Sequence, residues 1–301
     1  MPSNEQRRAA AKRKLERQLE RRAEQEKKRK RLVIAGSVLG VIVVAAAVTG
    51  VYFLTKDGDE ADSSATASTS ATSKRELPPA ADAPAVAAKP ATVTCAYPVG
   101  AEPASKPVAP PSTTTVASGP DAPKTKVSID STQGPIGLEL DSAESPCTVN
   151  SFVSLAQQGY FDKTSCHRIS AEEGFEMLQC GDPTASGMGG PGYSFANEYP
   201  TDQFPTTDPD NDPALNSPIK YKRGVIAMAN SGLTPEGTNG SQFFLVYGDT
   251  ILPPKYTIFG TIDEAGLKTL EKVGAAGDDG SMSAGGGKPK MPISFTTVKV
   301  G

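Results

Sequence analysis

The chain has 301 residues, with 31 Lys and Arg against 34 Asp and Glu, a formal charge of −3, one histidine, four cysteines and no tryptophan. That length suits one good-sized domain with appendages, and a lone histidine excludes zinc sites built on histidine clusters. The near-neutral total hides segregation: residues 1–31 carry thirteen Lys and Arg against five glutamates, so the remainder is clearly acidic.

Residues 32–54, LVIAGSVLGVIVVAAAVTGVYFL, follow the basic block without a charge or a proline. As a helix this stretch reaches roughly 34 Å, enough to cross a hydrocarbon core of about 30 Å. A cleaved signal peptide has an apolar stretch of only about 7–15 residues, so an uncleaved anchor is expected. The basic flank and the acidic flank of Asp57, Asp59, Glu60 and Asp62 put the amino terminus in the cytoplasm and the rest outside the cell membrane. A basic tract abutting a span holds anionic lipid headgroups, and no nucleic-acid partner is expected. Outside the cytoplasm, Cys95, Cys147, Cys166 and Cys180 can form disulfides, for which three pairings exist.

Residues 55–92 are rich in Ala, Ser, Thr, Asp and Pro and bury too little apolar surface to offset chain ordering; they are read as a disordered tether. A second poor stretch, 102–123, is expected to be an ordered arm pinned by Cys95, which sets the domain at 93–301 with its core at 124–301. From 124 the pattern alternates: KTKVSID (124–130) and PIGLELD (135–141) form a hairpin across a polar turn. A helix follows, with Ser145 as cap, Pro146 at its first position, Val149, Phe152, Val153 and Ala156 on one face, and Gly159 at its end. Further strands are expected at 166–170, 175–179, 224–229, 242–247, 256–262 and 293–300, and a second helix at 263–273 with Leu267, Leu270 and Val273 in register. Many short strands broken by Gly and Pro argue for a closed antiparallel barrel or a sandwich, and two helices suffice to plug the ends of a barrel.

Four segments place polar residues inside apolar runs: CHRI (166–169), GFEMLQCGD (174–182), AMAN (227–230) and NGSQFF (239–244). No GxSxG, H-E-x-x-H or Walker signature accompanies them. The acidic run DPDNDP (208–213) lacks the glycine and the terminal glutamate of a calcium loop and reads as a solvated loop. What remains is a site of one arginine, amides and apolar surface, without nucleophile, metal or cofactor.

In order along the chain, HRI, a GF shortly after, QCGDP, GMGGPGY (187–193), AMAN, GTNGSQFF (237–244) and IFG (258–260) resemble the cyclophilin-type peptidyl-prolyl isomerases over residues 124–301. The anchor and cysteine placement are similar to membrane-bound cyclophilins of actinobacteria. The resemblance implies a mainly β fold, an eight-stranded closed antiparallel barrel capped by two α-helices, with a proline-binding groove on its outer face. It implies that Arg168 is the catalytic arginine, that Met177, Phe244 and Leu252 are apolar walls, and that Gln179 and Gln242 are hydrogen-bonders. Ala229 and Asn230 match the peptide-holding segment, and His167 and Tyr256 match rim positions. Phe175 stands one residue further from Gln179 than the family's pocket phenylalanine, and strict register would put Glu176 there unless a bulge intervenes.

The same alignment makes CHRI and FEMLQC neighbouring strands, which favours a Cys166–Cys180 disulfide and leaves Cys95 with Cys147. Ile251 stands where many eukaryotic members have tryptophan, which implies at most weak cyclosporin binding. A long acidic insertion, 197–218, reads as a partner-binding surface. The expected function is isomerisation of X-Pro bonds in proline-containing peptides and exported proteins. The alternatives are a non-catalytic proline-peptide scaffold and, third, a signalling role for the basic amino-terminal segment.

Overall fold

The computed structural model describes residues 79–206, 208, 212–232 and 237–301. The basic segment 1–31, the apolar span 32–54, residues 55–78 of the tether and Asp210 of the acidic run lie outside the described residues. Among the described residues, no helix is long and apolar enough to cross a membrane.

In chain order the strands are β1 (Ala81–Asp82), β2 (Thr92–Thr94), β3 (Thr115–Ala117), β4 (Lys124–Ser131), β5 (Gly134–Asp141), β6 (Thr164–Ser165), β7 (Arg168–Glu172) and β8 (Phe175–Cys180). They continue with β9 (Ile219–Tyr221), β10 (Val225–Met228), β11 (Phe243–Val246), β12 (Thr250–Leu252), β13 (Ile258–Ile262) and β14 (Ser294–Val300). The helices are α1 (Pro146–Gln157), the short α2 (Pro213–Asn216) and α3 (Glu264–Ala275).

Alternation in the first hairpin translates directly into packing: Val127, Ile129, Ile136, Leu138 and Leu140 all point into the core, with Lys124 opposite Asp141 and Ser131 opposite Gly134. Nine strands then pair antiparallel in the order β6-β14-β4-β5-β13-β10-β11-β8-β7. The two end strands, β6 and β7, are consecutive in the chain and separated only by Cys166 and His167. No ladder joins them, so the mainly β fold expected is observed as a curled sheet of nine strands, without hydrogen-bonded closure between its ends. The break arises because Cys166 N–H still follows β14, donating to Ile293 O, whereas Ile169 N–H turns to Gly287 O.

Inside the curl, Phe152 of α1 stacks on Phe161 at 4.9 Å and meets the edge of Phe243 at 5.3 Å. Helix α3 closes the other side with Leu267, Leu270 and Val273 buried. It is capped by Asp263, whose side chain accepts from Gly266 N–H at 2.7 Å. Ser145 stands at the cap position of α1 as expected, but its hydroxyl donates to Ile258 O at 2.6 Å and makes no capping bond. The cap comes from Glu198, whose carboxylate accepts from Cys147 N–H (3.1 Å), Thr148 N–H (2.8 Å) and the Thr148 hydroxyl (2.7 Å).

Both expected disulfides are present, Cys95–Cys147 and Cys166–Cys180. The arm is ordered as expected, with Lys106 Nζ donating to Gly159 O and Asp162 O at 2.5 and 3.1 Å. The tether is shorter than its composition implies. Strand β1 pairs parallel with β9, Tyr199 donates to Pro84 O at 2.7 Å, Ala87 N–H donates to Gln203 Oε1 at 2.9 Å, and Lys89 pairs with Asp202. Residues 81–90 therefore belong to the folded unit, held by backbone groups and ion pairs rather than by apolar burial. Their partners Tyr199, Asp202 and Gln203 lie in the acidic insertion, whose described part thus engages its own chain.

Candidate functional site

Strand β11 has its four residues buried, which a one-sided sheet strand would not show. Phe243 and Leu245 enter the main core, while Phe244 and Val246 face outward. There they join Met177, Tyr221, Ala227 and Ile258 in a second apolar cluster on the outer surface of the curl, against which Phe175, Ala229, Leu252 and Tyr256 pack. This outer face is covered because β9 and β12 form a small side sheet over it, with Ile251 N–H anchored on Gly174 O at 2.8 Å. Phe244 meets Tyr256 edge-on at 5.7 Å, and the Tyr221 hydroxyl holds the loop below by donating to Pro253 O or Tyr256 O, each at 3.1 Å.

The polar residues are aligned by strand register. Arg168 of β7 is opposite Gln179 of β8, and Gln179 is opposite Phe244 of β11. Directly opposed residues share a sheet face, so arginine, amide and ring stand in one row. Gln179 Nε2 donates to Gln242 Oε1 at 3.0 Å, and Gln242 Nε2 donates to Gly187 O and Gly189 O at 2.9 and 3.0 Å. The guanidinium makes a long 3.4 Å contact from Nη1 to Gln179 Oε1. Its Nε donates to Gly285 O at 3.1 Å, and its Nη2 donates to Ala284 O and Gly285 O at 2.6 and 2.9 Å. Burial lowers the Arg168 pKa from its ordinary value, the nearby Tyr256 opposing this, but a guanidinium is basic enough to remain charged.

Phe175 lies on the same face as Met177 and Gln179 by simple alternation, with no bulge in the pairing of β7 and β8. Its ring sits under the arginine, 5.2 Å from Arg168 Cζ, and Glu176 is turned to the other face. Leu252 and Tyr256 pack, partly buried, against the same outer cluster. Ala229 N–H is committed to Gln242 O at 3.0 Å, and Asn230 ties loops together through Lys255 O and Asn197 Oδ1 at 2.8 and 3.1 Å.

His167 is not at a rim. It is buried, and its imidazole lies beneath Gly187, where a Cβ would come within 3.4 Å of the ring. Its Nδ1 has no hydrogen-bond partner among the described residues. Burial lowers its pKa, Asp182 opposing this and Arg168 adding to it, so it is neutral near pH 7. Among the described residues no group of His, Cys, Asp and Glu could hold a metal ion.

Two contributors escape sequence reasoning. The carbonyls of Ala284 and Gly285, which grip Arg168, belong to the stretch AGGG at 284–287, whose side chains carry no chemistry of their own. Asp182 organises the loop whose carbonyls hold Gln242: its carboxylate accepts from the N–H groups of Thr184, Ser186, Gly187 and Gly189. The density of glycine in GMGG and AGGG was the available signal, since close backbone approach demands it.

A family model described as cyclophilin type peptidyl-prolyl cis-trans isomerase matches residues 125–300. Over 177 residues, 58% of this chain, it is 54% identical to a probable peptidyl-prolyl cis-trans isomerase B of Mycobacterium tuberculosis, of which 54% is covered. The probable isomerase B of Mycobacterium leprae is 54% identical over 172 residues, 57% of this chain and 54% of that protein. The chain thus spans about half the length of these curated relatives. A crystal structure of a cyclophilin-type isomerase of Cryptosporidium parvum with the dipeptide Ala-Pro is 29% identical and covers 58% of this chain and 98% of that one, with a TM-score of 0.45. With the family model matching well over half of its residues, the chain belongs to the cyclophilin-type peptidyl-prolyl cis-trans isomerases.

Proposed function

We propose that this chain accelerates rotation about X-Pro peptide bonds in exported and cell-envelope proteins, with Arg168 as the catalytic residue. The observation that carries this reading is the row from Arg168 through Gln179 to Phe244, which joins a guanidinium, an amide and a buried ring on one outer face.

Rotation about the prolyl amide is slow because resonance stiffens the C–N bond, with a barrier of roughly 20 kcal/mol. No bond is made or broken, so nothing is asked of a nucleophile or a proton relay. In the twisted state the prolyl nitrogen becomes pyramidal and gains a lone pair. A guanidinium N–H donates to that lone pair only while the amide is twisted, which is selective binding of the transition state. The Nε and Nη2 donors face the carbonyls of residues 284 and 285, which leaves Nη1, beside Gln179, as the edge turned toward the groove. Met177, Phe244 and Leu252 grip the proline ring and exclude water, which strengthens the arginine's interaction. Gln179 and Gln242 hydrogen-bond the peptide, Tyr256 borders it, and Ala229 with Asn230 lines the adjoining stretch. No cofactor is required.

A closed barrel fits the same reading, because the ends of the sheet are one interrupted stretch of chain. Residues 32–54 serve as the anchor, residues 1–31 rest on anionic lipid inside the cell, and the folded domain works outside. Ile251 in β12 supports weak cyclosporin binding.

The test compares the full-length chain with Arg168→Ala on a proline-containing tetrapeptide. At least a tenfold loss is expected, corresponding to about 1.4 kcal/mol of transition-state stabilisation. Equal rates would favour a non-catalytic proline-peptide scaffold.

A further inference from the structure

We propose that the glycine-rich loop at 281–287 is a clamp that positions Arg168, so that its backbone carbonyls set the orientation on which the isomerase rate depends. The inference rests on the assignment of Arg168 as the catalytic residue. Of the five guanidinium N–H donors, those on Nε and Nη2 go to Gly285 O and Ala284 O, at 2.6 to 3.1 Å. A planar fork gripped along one edge cannot rotate, and its remaining edge is thereby aimed.

The loop is itself fixed to the strand that carries the arginine. Gly287 and Ile169, the residue after Arg168, exchange both backbone hydrogen bonds at 2.8 and 2.9 Å. Within the loop, Gly285 N–H donates to Met282 O and Met282 N–H to Gly286 O, both at 3.1 Å. Asp279 closes its base by accepting from Ser281 N–H and Lys288 N–H at 3.0 and 2.8 Å.

Glycine is required for this approach. Gly286 has φ +67°, and a Cβ there would come to 2.1 Å from Ile169 O, a backbone atom that cannot yield. Gly285 has φ +91°, and a Cβ there would press at 3.1 Å on the Phe175 ring beneath the arginine. The loop thus touches the arginine, its aromatic platform and its strand together. An unclamped arginine would sample several rotamers and would lose that freedom in each turnover; the clamp removes the loss beforehand.

The experiment measures kcat and KM for a proline tetrapeptide with the full-length chain, Gly286→Ala, Arg168→Ala and the double variant. Gly100→Ala serves as control, since its backbone is not left-handed and a Cβ there comes no nearer than 3.6 Å to any atom. Gly286→Ala is expected to lower kcat about tenfold with KM changed less than about twofold, Gly100→Ala to stay within about twofold of the parent, and the double variant to be no slower than Arg168→Ala. Wild-type kcat in Gly286→Ala, or an equal fold-loss in the Arg168→Ala background, would overturn the clamp and leave the role of Arg168 standing. Full activity of Arg168→Ala alone would remove that role and the clamp with it. Should Gly286→Ala not fold, nitrogen-15 NMR of the unsubstituted chain decides: a slowly exchanging Arg168 Nε–H supports the clamp, and one exchanging at the solvent rate refutes it.

Discussion

Replacing Asp182 by asparagine should destabilise the domain by about 3–5 kcal/mol at neutral pH. The Asp182 side chain has no solvent exposure, and six donors converge on it. Oδ1 accepts from the N–H and hydroxyl of Thr184, and Oδ2 accepts from the N–H groups of Ser186, Gly187 and Gly189 and from the Ser186 hydroxyl. Burial alone would raise the carboxyl pKa, but these bonds reverse the effect and hold it at about 2, against an ordinary 3.8. A depressed folded-state value means that the ionised carboxylate stabilises the fold above the unfolded value and that this contribution is lost as pH falls through about 2. The gap is worth about 2 kcal/mol. Asparagine retains one acceptor oxygen and sets an NH₂ group against donors, so at least one buried N–H is left unmet at a further cost of about 1–3 kcal/mol. Urea denaturation across pH measures both parts. The gap between parent and variant should narrow by about 1 kcal/mol from pH 7 to about pH 3, because the unfolded parent then takes up a proton that folded Asp182 still largely refuses. A gap below about 0.5 kcal/mol at pH 7, or one that ignores pH, would refute the reasoning.

Glu198→Ala should cost about 2 kcal/mol in urea denaturation, since it orphans two N–H groups of α1, and Glu198→Gln should cost clearly less; equal losses would deny the cap. Serine at Cys95 and Cys147, which are 52 residues apart, should cost about 4 kcal/mol, against about 3 kcal/mol for Cys166 and Cys180, 14 apart. The reverse order in denaturation midpoints would show that loop closure is not what matters. The isomerisation rate should be flat between about pH 7 and pH 9: burial keeps His167 uncharged above its already lowered pKa, and Arg168 stays protonated throughout. A bell-shaped profile would place a proton transfer in the mechanism.

Alternation made the 124–141 hairpin readable, down to the faces of its residues, because one face is dry and the other wet. The same parity separates Phe243 from Phe244 without any knowledge of the fold. It also settles Phe175 against Glu176 once β7 and β8 are paired, since Phe175, Met177 and Gln179 must share a face. Other features left no periodic trace. Strands β6, β9 and β12 have two or three residues each, too few for a repeat to show, yet β9 and β12 make the cover over the outer cluster. Ser145 carries the right residue type for a cap, but its hydroxyl is drawn to Ile258 O, and the cap comes from a carboxylate some 50 residues away. Residues 81–90 look unfoldable by composition because their anchors are mostly main-chain groups, which every sequence possesses. The family resemblance puts His167 at the rim, whereas the buried imidazole packs beneath Gly187, a contact that no residue pattern announces.

On the proposed role of Arg168, amide rotation asks a protein for shape and for a fixed charge, and the distribution of anchors around Arg168 is consistent with that demand. Along its own strand pair, the Cys166–Cys180 bridge flanks the Arg168–Gln179 pair, so the hairpin cannot splay where the charge is mounted. Across the sheet, the glutamine relay carries the constraint to Gly187 and Gly189, whose loop is held by the buried anion of Asp182. From the opposite side, the glycine run at 285–287 fixes the guanidinium edge. The bridge and the Asp182 loop lie within residues 166–189, while the glycine run reaches Arg168 from 117 residues further along the chain, and none of these supports titrates near neutral pH. A site that moved protons would need groups poised to change charge; here the ionisable members are held far from such a change, and what is tightly specified is the direction in which one permanent cation points. That is the arrangement expected when the reaction coordinate is a torsion and the distinguishing feature of its summit is a lone pair with a definite direction.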